Sequence, residues 1–560
     1  MTLLNIIIIN TKIDYPKISH MKFLIFPFAS LIVTCSYSQS KKFSFKLGEE
    51  YELPRKTEDL AYFGNEKDGI VNLSVKKEEL NIVRFDPKSL SKTMEQKIDL
   101  DVSKYFESEM VADFNNSEYY WLHSDYDKGA KQETLYYDKI DVKGGKIAKS
   151  NNPLFATTKV AMDAFTASIP FNFHSYVAPS SFKSSLKYQY NYDADRKKLL
   201  VTYRLEPEFR NDKINYDRIG FQVFDEHLNK VWGSEFKMPY TEAIMDNMGF
   251  SVDVKGNAFM LAKVYDSDSR KEKSNGSAAY HYEVFKFTKD NKDIAISKIP
   301  VGNNFIKEAD LIENSNHEMI VACTYSKKVK GSGTDGIFLA IENSDGKITN
   351  YKNGFYEFPK AEMEKFEKAR IQRKIEKDEN FEIKNLKVRD LLEDPDGSVF
   401  ISCEEYWYET TTYMDGYGRT STRTTYYYGD IYGSKINAAG QFEWLRKIPK
   451  RQRGSLGRGT MGFKLINDAS GFYFLYLDNI HNLNLGESEQ PKYHEDGKGG
   501  QVMVSKIDYQ GNVSKELLFD TREEDIMIYP SEFEKIFGNQ FIGRAKIKSK
   551  LFQPVMIIPK

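Results

Sequence analysis

The residues of this chain best suited to contact another molecule lie between positions 406 and 430, in the run YWYETTTYMDGYGRTSTRTTYYYGD. Tyrosine offers a large, stiff surface with a polar tip, and threonine and serine add adaptable hydroxyls, which is the chemistry of binding loops. Gly416 and Gly418 supply the bend of a long hairpin. The candidate contact residues here are Tyr408, Tyr413, Tyr417, Arg419, Arg423, Tyr426 and Tyr427. The competing account is a twisted hairpin whose tyrosines merely pair across strands.

A basic group follows, with Arg446, Lys447, Lys450, Arg451, Arg453 and Arg458 clustered after Trp444. The next repeat carries DNIHNLN over residues 478–484. If the two segments face each other, Arg451 and Arg453 beside Asp478 and His481 would hold a carboxylate, a sulfate or an acidic glycan. The oxygens of the second segment would also suit a cation, although the spacing matches no EF-hand loop and a polar turn capping a strand explains it better.

Catalytic constellations are scarce. The histidines at 20, 123, 174, 227, 281, 317, 481 and 494 show no HExxH, HxH or CxxC spacing, so the sequence indicates neither a metal site nor a cofactor. No GxSxG elbow or Walker loop occurs, and residues 454–459 are glycine-rich without the phosphate-binding lysine. Glu404, Glu405, Asp415 and Asp430 would have to pair in space to cleave a glycosidic bond. In a chain with 81 acidic residues, solvated surface is the stronger account.

These segments must be positioned by a repeating scaffold. Asp/Asn/Gly turns recur at 86–87, 141–145, 225–229, 289–292, 343–346, 437–440 and 508–511. Before them come alternating strands such as 81–85, 220–224, 282–287 and 502–507, whose period of two marks one buried face. Earlier in each repeat stands a more continuous apolar strand, at 118–123, 199–203, 258–262, 319–323, 399–403 and 472–477. Strands covered on both faces read this way. Repeated four-stranded units predict an all-β, propeller-like ring, because one such sheet cannot bury both faces alone. Eight blades fit if the unit over residues 61–100 is complete, and seven is the alternative. Residues 43–47 form a lone alternating strand, while 529–560 supply about three strands, so the N-terminal strand is expected to complete the last blade and remove two sheet edges.

Loop lengths point to one face. The insertions at 266–279, 409–426 and 479–500 all fall between the second and third strands of their units, so they emerge together, where repeat proteins carry binding loops. A separate segment, 359–379 (PKAEMEKFEKARIQRKIEKDE), predicts one helical insertion: Pro359 suits a first helical position, and the Ala, Glu, Lys and Arg content favours helix.

Composition supports the same picture. The 36 tyrosines and 38 phenylalanines suit half-buried pleated surfaces, and a net charge of −1 provides no field for nucleic acid. Met21-Lys22, an apolar run over 23–35 and Ser36-Tyr37-Ser38 describe a secretory signal peptide, with 1–20 an upstream extension and the start at Met21. The mature chain would then be a single domain, residues 39–560, secreted or periplasmic at the outer cell envelope, with no transmembrane span, because the run is shorter than a span needs. Cys35 sits in a partial lipobox, IVTC, whose Thr34 replaces the usual small residue, so cleavage after Ser38 is favoured over lipidation. Cys323 and Cys403 occupy equivalent strands of neighbouring units, about 10 Å apart in packed sheets. That is beyond disulfide reach, so both are expected to be buried free thiols.

Residues 430–450 (DIYGSKINAAGQFEWLRKIPK) and 472–482 (FYFLYLDNIHN) resemble uncharacterised secreted proteins of Bacteroidetes, over roughly 380–517. The resemblance implies a propeller-like fold and an envelope or extracellular location in a Gram-negative bacterium, and brings no activity with it. The sequence favours a non-enzymatic scaffold recognising an envelope protein or glycan through its long-loop face. The alternatives are a polysaccharide hydrolase or lyase on the same scaffold and a structural subunit of an envelope complex.

Overall fold

Alternating strands of this kind can bury one face only against a neighbouring sheet, and the chain solves this eight times. The computed structural model describes residues 40–560 except 116, 162–186, 275, 329–332, 344, 379–380, 415, 417, 456–459 and 498. The signal segment, Cys35, Tyr417 and Arg458 therefore lie outside the described residues. Antiparallel blades run over residues 58–99, 107–157, 188–241, 245–298, 305–357, 386–448, 464–520 and 527–559, the last completed by Phe43–Leu47. The protein is an eight-bladed β-propeller.

Apolar side chains from adjacent blades form eight cores, one at each boundary, including the boundary between the last blade and the first. There, Tyr51, Ile70, Val83 and Phe85 pack with Ile542 and Met556. The N-terminal strand closes the ring as expected, pairing Phe43 with Pro559 and Leu47 with Val555. It turns away at Gly48, where a Cβ would lie 2.6 Å from the Pro554 ring and 2.8 Å from the Leu90 carbonyl oxygen. The inner position of this blade is shared by two short strands, Met527–Ile528 and Glu534–Lys535.

The recurrent turns join third to fourth strands and are held by Asp or Asn side chains. Asp225 Oδ1 accepts from the backbone N–H groups of His227 and Asn229, and Asp508 Oδ1 from those of Gln510 and Asn512. This is the Asx-turn chemistry that makes such residues legible in sequence. Cys323 and Cys403 are free and buried in different inter-blade cores, and burial pushes both thiols well up.

In a four-stranded meander, the second-to-third connections and the links between blades share one end of the sheet. The loops 266–279 and 479–500, the long hairpin of blade six and the insertion before blade six all leave from that end. The single helix expected over 359–379 is instead two, α1 (Lys360–Met363) and α2 (Ala369–Lys377). Pro359 is the residue before α1 and not its first turn. The break falls near Phe366, whose φ of 58° lies in the left-handed region and whose N–H donates to the Glu487 carbonyl of blade seven at 2.6 Å. A tertiary backbone bond therefore overrides helix propensity.

Candidate functional site

The hairpin of blade six consists of Val399–Met414 and Thr420–Ile436, paired from Val399/Ile436 outward to Met414/Thr420. Its inner part is core. At the Glu404/Tyr406 bulge the ladder shifts, the first strand of the blade ends opposite Glu405, and the ribbon continues past it, flanked over Tyr426–Tyr428 by Gln452–Gly454. Eight residue steps from Tyr406 to Met414 carry it about 26 Å, at about 3.3 Å each. Threonine and tyrosine suit a ribbon whose outer part, beyond Tyr408/Tyr426, pairs only with itself.

Alternation gives the ribbon two faces. One carries the cross-strand pairs Tyr406/Tyr428 and Tyr408/Tyr426, with ring centroids 4.9 and 6.2 Å apart. The other carries Trp407 stacked on Tyr427 at 4.8 Å and an interplanar angle of 4°, and the Tyr427 hydroxyl donates to Glu409 at 3.1 Å. Tyr408, within its pair, and Tyr413 and Met414 beyond the pairs are 63, 54 and 71 % exposed, and Arg419 and Arg423 lie exposed near the tip. Some of the tyrosines thus pair across strands and others remain available to a partner.

The basic segment and the blade-seven loop do meet. Gln452–Gly454 pairs antiparallel with Tyr426–Tyr428 and parallel with His494–Glu495. Arg451 and Arg453 lie 4.1 and 4.6 Å from the Tyr493 ring, Arg453 is bound by Glu495 at 2.6 Å, and Tyr493 packs on Tyr427. Most of the other cations are engaged by the protein itself: Arg446 donates to the Gly511 and Leu445 carbonyls, and Lys447 and Lys450 are buried in ion pairs. Asp478 is fully buried, 2.6 Å from Lys515 and hydrogen-bonded by Asn482 at 2.7 Å. His481 is exposed in a 3-10 turn whose backbone is capped by Asn479. Asp478 and His481 are therefore not brought together, and this string is the polar turn. Among the described residues no group of three or more His, Cys, Asp or Glu side chains is arranged to hold a metal.

Two adjacent glutamates fix the base of the ribbon. Their side chains point to opposite faces of the strand. Glu404 is bound by Lys450 at 2.7 Å and by Arg389, and Lys450 also donates to Gln452 Oε1, which holds the Gly462 N–H. Burial depresses the Lys450 ammonium while Glu404 opposes the shift. On the other face, Lys447 reaches Asp430 at 3.0 Å and Glu367 at 3.1 Å, and Tyr432 donates to Glu405 at 3.3 Å. Burial and the Asp430 carboxylate push Glu405 up to about 8. A neutral Glu405 near Asp430 has the protonation pattern of a glycosidase pair, but the Lys447 ammonium, 1 % exposed, is bound to Asp430. The cluster serves as an anchor. Tyr493 and Glu495 are the members that sequence spacing did not reveal, because they reach the site from a loop of the next blade; Lys447 was visible as a cation, and its buried pairing was not.

The chain matches no protein-family model and no curated protein. Several solved structures share its architecture. A Dos1 propeller is 8% identical, with 91% of this chain and 94% of that chain covered and a TM-score of 0.39. The β-propeller domain of the Trilobed protease from Pyrococcus furiosus is 9% identical over 84% and 97%, with a TM-score of 0.32. An acylaminoacyl peptidase from Pyrococcus horikoshii is 9% identical over 88% of this chain and 58% of that one, with a TM-score of 0.33. At these identities the likeness concerns the fold alone.

Proposed function

We propose that this propeller is a binding scaffold of the bacterial cell envelope whose long-loop face, led by the blade-six hairpin, recognises a protein or a glycan. The observation that carries this reading is the hairpin itself: a ribbon anchored by buried ion pairs at Glu404 and beside Glu405, with Tyr408, Tyr413 and Met414 displayed beyond the blade. A stiff aromatic surface on a fixed base loses little conformational entropy on binding. The signal-like segment at 21–38 supports a location outside the cytoplasm.

The test is affinity capture from native envelope with the intact protein and with a variant in which residues 409–426 are replaced by a short glycine turn. One partner captured by the intact protein and lost with the ribbon is the expected result. Identical captures from two folded proteins would remove the hairpin as the site and turn attention to polysaccharide cleavage.

A further inference from the structure

The charges of the helical insertion are sorted in part, with Glu376 the acid left exposed on α2. Glu362 and Glu367 turn toward the propeller, accepting the Lys447 backbone N–H at 2.9 Å and its ammonium at 3.1 Å. On α2, Ile375 is the buried side chain and Gln372 donates to the Glu487 carbonyl. Arg370, Arg373, Lys374 and Lys377, at helical spacings of i, i+3, i+4 and i+7, form one exposed stripe, and Lys368 at the N-cap is exposed as well. Among the described residues none of these five forms an ion pair, in a protein whose net charge is −1.

Two local rules are broken on this helix. Like charges at i and i+4, as in Arg370/Lys374 and Arg373/Lys377, destabilise an isolated helix. The first turn carries no acidic residue, and Lys368 and Arg370 stand at the end where the helix dipole is positive. Violations of this kind gather where function compensates for them. An anion lying along the stripe would relieve both.

We propose that the exposed face of α2 docks an acidic polysaccharide, a linear glycan bearing carboxylate or sulfate groups. This rests on the long-loop face being a recognition surface and adds to it a second ligand, held by α2 independently of the hairpin. The stripe runs about 10 Å, at about 1.5 Å per residue, with neighbouring charges about 5–6 Å apart, so it meets several charges of an extended polyanion at once. Arginine pairs with planar carboxylate and sulfate groups through two donors. An acidic protein would seek a buried aromatic or aliphatic anchor, whereas the stripe offers only Ile371, 37 % exposed. A bilayer would need an apolar helix face, and here Ile375 is already covered by the protein.

The test is retention at low salt on heparin and polygalacturonate resins, with uncharged dextran as control. Three proteins are compared: the intact protein, the variant R370Q/R373Q/K374Q/K377Q and the hairpin-shortened variant. The intact protein should bind both acidic resins and not dextran, releasing as salt rises. The four-fold variant, checked for its fold by circular dichroism, should bind at least about ten-fold more weakly, with the slope of log affinity against log salt reduced by about three. The hairpin-shortened variant should bind like the intact protein. No retention of the intact protein, or equal retention of the four-fold variant, overturns the proposal. Loss with the hairpin variant alone overturns the helix assignment and leaves the recognition face standing. Stripe-dependent binding to phosphatidylserine vesicles as tight as to the glycans overturns the polysaccharide class.

Discussion

Glu404 and Lys450 meet at 2.7 Å, and neither side chain is exposed to solvent. Glu404 lies on the second strand of blade six and Lys450 in the link after its fourth, and Lys450 also touches Gln452, which spans to blade seven through Gly462 and Leu477. The pair therefore joins the ribbon to the blade boundary. Charges in such a place stabilise only as a set, because each one alone would be buried without compensation.

Glu404→Ala removes the carboxylate that both Lys450 and Arg389 face. A loss of about 3–5 kcal/mol is expected, read as a lower denaturation midpoint in urea. The double variant Glu404→Gln with Lys450→Met should recover part of it. An unchanged midpoint for Glu404→Ala would show that the ribbon is not anchored through this pair.

Glu405 gives a pH signature. Burial and Asp430 raise its carboxyl from 4.5 to about 8, so within that window the folded protein holds a proton that the unfolded chain has released. Its contribution to stability is complete below about pH 4.5 and is lost as pH rises through about 8. His494, pushed down to about 4 by burial, acts in the opposite sense at the acidic end of the window. Comparison with Glu405→Gln isolates the carboxyl. The Tm of the native protein should fall relative to that of the variant between pH 5 and 8, and parallel curves would mean that Glu405 is ionised in the fold.

Cys323 and Cys403 give a packing test. Both are buried, at 0 and 1 % exposure, in separate inter-blade cores, and thiolate formation is suppressed. A chain starting at residue 39 should show no reaction with a thiol reagent while folded and two reactive thiols in denaturant. Fast labelling of the native state would place a gap at one of these blade boundaries.

Much of the scaffold was legible because its signals are local. Asp225 and Asp508 hold their turns with their own side chains, and the period of two in 220–224 and 502–507 marks buried faces whichever blade lies beside them. Phe43–Leu47 could be assigned to the last blade because that blade lacked a strand. The site was less legible. That Glu404 and Glu405 face different lysines depends on the register of strands distant in sequence, and Arg453 is neutralised by Glu495, which arrives from a loop of the next blade. The helix break near Phe366 follows from a hydrogen bond to Glu487, which no property of residues 359–379 could announce. That Glu362 and Glu367 turn inward onto Lys447 was invisible for the same reason.

The strand Phe43–Leu47 also imposes a timetable. Ser44 lies opposite Ile558, 514 residues away, so among the described residues the earliest strand waits for the latest. At about 5–20 residues per second, roughly half a minute to two minutes pass before its partner exists. Until then Phe43–Leu47 stays without its partner, an unpaired strand of the kind that invites aggregation. A ring of this design is sealed only when two strands this far apart in the chain meet.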